Sequence, residues 1–149
     1  MLIAVLTGRV DAQSVAMMSP NATVNLRTTT AVNFTCRITL DNYYAVRLIL
    51  TKLTSNTRIL TLDFESPTKQ PFQEPVKSEI ASDYASRTVE YVAVQNDDRA
   101  KEYTFTVHDL RASDEGIYRC TARSLSKYSE SESTYISIFG ISEFLMSDT

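Results

Sequence analysis

Residues 110–120 read L-R-A-S-D-E-G-I-Y-R-C, which is the pattern L-x-x-x-D-x-G-x-Y-x-C. Leu110 caps a hydrophobic core before a corner in the chain. Gly116 allows the backbone to turn where a side chain would clash. Tyr118 precedes Cys120 by two positions, so both side chains point to the same face of a strand. The Tyr118 hydroxyl can then bond back to the backbone near the corner, which is the tyrosine-corner arrangement of β-sandwiches.

Period-2 alternation of apolar and polar residues dominates the rest of the chain, and it predicts short half-buried strands. Residues 65–88 break this rhythm with three prolines and mixed charges, and we expect a surface connection there with at most short edge strands. Residues 124–133 are rich in Ser and Glu and predict a loop or hairpin tip. Many short strands separated by polar turns indicate an all-β sandwich. The predicted strands are residues 32–40, 44–53, 58–64, 89–94, 103–107, 117–123 and 135–139.

These motifs resemble the immunoglobulin superfamily, and specifically its variable-type domains. The segment Val32-x-Phe34-x-Cys36 is similar to the B strand of that family, and residues 110–120 are similar to the approach to its F strand. The resemblance implies a two-sheet Greek-key sandwich of variable type, with a disulfide between Cys36 and Cys120 joining the sheets. It also implies an ion pair between the aspartate of the corner and an arginine near strand D. The residues concerned are Asp114 and Arg87, with Arg99 as the alternative to Arg87.

Two departures from the family pattern are informative. The chain has no tryptophan, whereas the family places one on strand C against the disulfide, and Leu48 or Val46 should occupy that position. The G-x-G bulge of antigen-receptor G strands is also missing. Both features argue against an antibody or T-cell-receptor chain. The sequence is more similar to divergent immune or adhesion receptors of invertebrates.

The chain ends and the cysteines suggest an extracellular location. Residues 1–12 include a short apolar run and small residues suited to a cleavage site, so they are interpreted as a truncated signal peptide, or else as a first strand. Residues 13–140 form the predicted domain and residues 141–149 a C-terminal tail. The two cysteines are too far apart for a C-x-x-C pair, and a single long-range disulfide fits an oxidising compartment. The chain is therefore predicted to be secreted or to be the ectodomain of a cell-surface protein.

Two N-x-S/T sequons occur, at Asn21 and Asn33, and each could carry a glycan in a secreted protein. Asn33 falls on the polar face of its predicted strand. Sequons also arise by chance in a chain rich in threonine. They therefore remain candidate glycosylation sites.

Composition and motifs exclude several classes of function. The formal net charge is −3, so there is no global basic character for nucleic-acid binding. One histidine and two cysteines cannot form a four-ligand Cys/His zinc site. No G-x-S-x-G or glycine-rich phosphate loop accompanies the single histidine, His108. We therefore predict a non-enzymatic protein with no cofactor, no metal and no membrane span of 18 or more apolar residues.

Binding to another molecule is the remaining class, and the resemblance implies two candidate surfaces. In variable-type domains the exposed face of the G, F, C and C′ strands commonly contacts partners. An exposed isoleucine beside several arginines suits an interface, although the same pattern fits a plain solvated sheet. The candidates on this face are Arg47, Ile49, Ile117, Arg119 and Arg123.

The second candidate surface is a rim of loops that carries tyrosines. Tyr43 and Tyr44 fall in the predicted B–C loop, and Tyr128 falls in the F–G loop at the same rim. Tyrosine provides a large contact area at a low ordering cost, which suits recognition by loops. Tyr43 or Tyr44 could instead be buried.

These surfaces define two hypotheses of function. The first is an adhesion or self-recognition module that binds another immunoglobulin domain or its own copy as a weak homodimer, and Arg119→Glu should weaken that contact. The second is a soluble innate-immune molecule that binds a foreign protein or glycan through the tyrosine-bearing rim. A spacer domain in a longer receptor would show neither activity.

Overall fold

The computed structural model describes residues 13–40, 45–65, 75, 77–87, 89–95, 100–124 and 128–140. These ranges are almost entirely β-structure, with 3₁₀ turns at Ser82–Arg87 and Ala112–Asp114. The prediction of an all-β fold is confirmed. The strands are β1 (Gln13–Met17), β2 (Ala22–Asn25), β3 (Ala31–Leu40), β4 (Ala45–Lys52), β5 (Thr57–Glu65), β6 (Lys77–Ile80), β7 (Val89–Gln95), β8 (Ala100–His108), β9 (Gly116–Ser124), β10 (Tyr128–Glu130) and β11 (Thr134–Phe139).

The strands form two sheets. The first sheet has the order β1-β3-β8-β7, and the second has the order β2-β11-β9-β4-β5-β6, with β10 paired to β9. All pairings are antiparallel except that of β11 with β2. In the lettering of variable-type domains, β4 corresponds to strand C, β5 to C′, β9 to F and β11 to G.

Alternating side chains of both sheets fill the core between them. On β3, Phe34, Cys36 and Ile38 are buried, and the polar residues between them face outward. Cys36 and Cys120 form a disulfide that joins β3 in the first sheet to β9 in the second. Beside it, the rings of Phe34 and Tyr118 lie 4.4 Å apart between centroids. On β3 the buried side chains thus lie on the face that the alternation pattern assigns to the core.

The position where the family places a tryptophan is filled by aliphatic residues. Val46 and Leu48 on β4 are both buried in the core cluster, Leu48 completely. Deleting an indole without compensation would leave a cavity, which is costly in a close-packed interior. Here branched side chains from the central strand occupy the core instead.

The first two strands are not predicted by alternation. Pro20 separates them, and the chain changes sheets there: β1 pairs with β3, and β2 pairs with β11. The irregular segment after β5 contains the exposed edge strand β6 and a 3₁₀ turn. No helix in the described ranges is long and apolar enough to cross a membrane.

Candidate functional site: an exposed sheet face beside a buried corner

A hydrogen bond from a tyrosine side chain to the backbone stabilises the corner before β9. The Tyr118 hydroxyl donates to the backbone carbonyl of Asp114, four residues earlier. Glycine is favoured at position 116, because a Cβ there would lie 2.3 Å from the Thr54 hydroxyl oxygen and because its φ of 155° is one that other residues rarely adopt. Burial raises the pKa of Tyr118, so its hydroxyl stays protonated and able to donate. The corner therefore fixes the entry of β9 into the second sheet.

A buried ion pair closes the same corner. Arg87, the last residue of the 3₁₀ turn Ser82–Arg87, donates from Nη1 to Oδ1 of Asp114 at 2.8 Å and from Nη2 to Oδ2. Arg99, the alternative partner, lies outside the described residues. The Arg87 Nη2 also donates to the Asp109 carbonyl at 3.2 Å, and Asp114 accepts from the Arg111 backbone N–H at 2.8 Å.

Burial decides what this pair can do. Both side chains are 4% exposed. Burial lowers the pKa of Arg87, but the hydrogen bond and charge of Asp114 outweigh burial and raise it overall. A pair this enclosed has no surface to offer to a partner. We assign Leu110, Asp114, Gly116, Tyr118 and Arg87 to the architecture of the domain rather than to binding.

The opposite side of the second sheet carries a cluster of exposed guanidinium groups. Their strands are neighbours: Arg47 lies directly across from Arg123 between β4 and β9, and Thr51 lies across from both Arg119 and Arg58. We call this surface the arginine face. Its arginines are Arg47, Arg58, Arg119 and Arg123, and they line a cleft of about 190 Å³ together with Tyr128 and Glu130.

Three of these arginines are oriented by neighbours on the same face. Arg47 donates from Nε to Oδ1 of Asp63 at 2.7 Å, and this hydrogen bond raises its pKa. Arg119 donates from Nη1 to Oε2 of Glu130 at 2.8 Å. The Arg123 guanidinium lies 5.3 Å from the centroid of the Tyr128 ring.

Arg58 was not among the sequence candidates, and a β-bulge explains why. The pairing of β4 with β5 shifts register between Leu50 and Thr51, so that Leu60 pairs with Leu50 and Arg58 pairs with Thr51. Ile59 and Leu60 are consequently both buried. Strict alternation would place Arg58 on the core face, whereas the extra residue of the bulge turns it outward.

The isoleucines of this face differ in exposure. Ile49 lies on the arginine face but is only 7% exposed, because it sits on the central strand between Thr61 of β5 and Thr121 of β9. The expectation that Ile49 is an exposed member of this face is therefore wrong. Ile117 is half-buried and lies between Leu53 and Tyr135, which are 36% and 41% exposed. These three residues form an apolar row next to the arginines.

Of the three tyrosines predicted at the loop rim, the structure describes one. Tyr43 and Tyr44 lie outside the described residues. Tyr128 is 53% exposed and belongs to β10, where it pairs with Arg123. It therefore extends the arginine face and is not confined to a loop tip.

Both sequon asparagines are exposed, and their side chains have acceptor roles. The Asn21 Oδ1 accepts from the Tyr135 backbone N–H at 2.8 Å, and the Asn33 Oδ1 accepts from the Thr106 hydroxyl at 2.8 Å. A glycan would attach through the amide nitrogen of either side chain. Glycosylation of both sites stays a prediction.

Comparison with known proteins identifies the fold. No protein-family model and no curated protein matches the sequence. Among solved structures, the chain is similar to a marsupial T cell receptor, with a TM-score of 0.56 and 18% identity over 87% of this chain. The match covers 54% of the receptor chain, so this chain spans about half its length. At this identity the likeness shows a variable-type immunoglobulin fold, as predicted.

Proposed function

We propose that this chain, a variable-type immunoglobulin-like domain, is an extracellular recognition module that binds other proteins through its arginine face. Recognition of this kind serves cell adhesion or the distinction of self from non-self. The fold is of a non-enzymatic type that suits protein recognition, and its disulfide is consistent with an oxidising, extracellular setting.

One observation carries this proposal: four arginines converge on a single exposed sheet face. Arginine and tyrosine are enriched in protein interfaces, and here both occur beside an apolar row. In the corner, by contrast, Arg87 is buried and paired with Asp114. On the exposed face, Arg58 and Arg123 make no ion pair within the described ranges, so their guanidinium groups are available for a partner.

A bead assay with the multivalent domain tests the proposal. Beads coated with the domain should aggregate with one another or attach to cells of the source organism. Arg123→Glu should reduce this adhesion about ten-fold, a typical effect of reversing a charge in an interface. Arg37→Glu, on the outer face of the first sheet, is the matched control and should leave adhesion unchanged. Absence of both aggregation and attachment in the wild-type domain would contradict the proposal.

A soluble innate-immune molecule that binds a foreign protein or glycan is the second candidate. The exposed Tyr128 ring, with the Arg123 guanidinium over it, favours this candidate because an exposed tyrosine also fits foreign ligands. The test is binding of the monomeric domain to intact microbes. Tyr128→Ala should abolish that binding, while bead aggregation should be absent from the wild type.

A further inference from the structure

We infer that the partner of the arginine face is an acidic protein surface, distinct from a second copy of this chain. The inference rests on the proposed function and specifies its partner. The charges of the described residues carry it.

The carboxylates near the arginine face are already engaged. Asp63 pairs with Arg47 at 2.7 Å, Glu130 with Arg119 at 2.8 Å, and Glu79 with Lys77 at 3.6 Å. By contrast, Arg58 and Arg123 have no ion-pair partner within the described ranges. The face therefore presents an excess of positive charge in a chain whose formal net charge is −3.

A second copy would meet this face with the same charges. In a two-fold contact both subunits use the same patch. Two arginine faces would bring Arg58 and Arg123 of each copy together without supplying an unpaired carboxylate. Like charges placed together in an interface disfavour the pairing. The structure therefore favours a different protein that provides Asp or Glu side chains.

The guanidinium groups are positioned for such a partner. Arg47 uses Nε and Nη2 on Asp63, at 2.7 and 3.4 Å, which leaves Nη1 for another acceptor. The Arg123 guanidinium lies over the Tyr128 ring, 5.3 Å from its centroid, and the residue is exposed, so its N–H donors can reach a partner. A carboxylate can accept two parallel bonds from one guanidinium, so these donors match acidic side chains.

The apolar row beside the arginines favours a protein over an acidic glycan. Leu53, in the turn after β4, lies beside Ile117 of β9, which pairs with Tyr135 of β11, and Leu53 and Tyr135 are more than a third exposed. Burial of this row requires apolar side chains on the partner. A sulfated or sialylated glycan would satisfy the arginines and leave the row uncovered.

Arginine side-chain NMR provides the test. The Nε–H signals of the ¹⁵N-labelled domain are followed during titration with a short poly-glutamate peptide, and separately with a heparin oligosaccharide. The double variant R58Q/R123Q removes two charges from the face. The double variant R37Q/R111Q removes two charges elsewhere and serves as the control.

We expect poly-glutamate to shift the Nε–H signals of the arginine face, and about 0.5 M NaCl to abolish the effect by screening. R58Q/R123Q should weaken peptide binding at least about ten-fold, and R37Q/R111Q less than about two-fold. Equal loss in both variants, or no shift of these signals, would overturn the inference. So would tighter binding of heparin than of the peptide at equal charge. A wild-type dimer in sedimentation equilibrium that R58Q/R123Q abolishes would also overturn it, yet leave the proposed recognition function standing.

Discussion

Within the part of the chain that the structure describes, two arginine–aspartate pairs have opposite surroundings. Arg87 and Asp114 are each 4% exposed and bonded from several directions, whereas Arg47 and Asp63 are 47% and 23% exposed. Removing one partner of a buried pair leaves an uncompensated charge in the interior, which is strongly destabilising. An exposed pair contributes little to stability, because water and salt screen it. The same pair of side chains therefore supports the fold in one place and lies at the surface in the other.

In the buried region, loss of the disulfide should cause the largest decrease in the free energy of unfolding. Cys36 and Cys120 are 84 positions apart in the sequence. In the chain-entropy model, opening a loop of this length lowers the free energy of unfolding by about 4–5 kcal/mol. Cys36→Ala should therefore largely unfold the domain, since typical net stabilities are about 5–15 kcal/mol. Thermal unfolding followed by circular dichroism measures this, and a wild-type melting temperature would contradict it.

The buried pair should come next. Asp114→Ala leaves the Arg87 charge buried and removes the acceptor of the Arg111 backbone N–H. We expect a loss of about 3–5 kcal/mol in the free energy of unfolding, measured by urea denaturation. A loss below about 1 kcal/mol, the level of an exposed pair, would show that burial does not separate the two pairs.

Alkaline pH should lower the free energy of unfolding through Tyr118 of the corner. Burial raises the pKa of Tyr118, so the folded protein keeps a proton that the unfolded chain releases above about pH 10. The unfolded state then binds fewer protons, and the free energy of unfolding falls as pH rises, by about 1.4 kcal/mol per pH unit for each such tyrosine.

Urea denaturation across this range measures the slope, and Tyr118→Phe is the control. The variant should be less stable at neutral pH by about 1–3 kcal/mol, because the Asp114 carbonyl loses its donor. Its stability should then fall less steeply with pH than that of the wild type. An unchanged slope would assign the alkaline loss to other groups.

The exposed pair should give the smallest effect. Asp63→Ala frees Arg47 on the surface, and the free energy of unfolding should change by less than about 0.5 kcal/mol. Its binding to poly-glutamate should increase, because the released guanidinium becomes available. Destabilisation comparable to that of Asp114→Ala would remove the distinction between the two pairs.

The buried corner was predictable from sequence because its contacts are mostly local. The spacing of Asp114, Gly116, Tyr118 and Cys120 encodes a turn, a hydroxyl bond and two side chains on one face, all within seven residues. The resemblance then supplied Arg87 and Cys36 as distant partners. The structure contains both of these contacts.

The arginine face was only partly predictable, because it depends on register between strands. Arg47, Arg119 and Arg123 follow from alternation, but the β-bulge that exposes Arg58 has no clear signal in the sequence. Alternation also places Ile49 on the outer face without revealing that neighbouring strands cover it. Asp63 and Glu130 were missed as partners, since pairing across strands cannot be read from a single strand.

The decisive measurement is bead adhesion of the Arg123→Glu variant, with the free energy of unfolding of the same protein determined in parallel. If the arginine face binds a partner without supporting the fold, the free energy of unfolding should lie within about 0.5 kcal/mol of the wild type, and bead adhesion should fall about ten-fold. Full adhesion, or a loss of adhesion accompanied by destabilisation like that of Asp114→Ala, would contradict it.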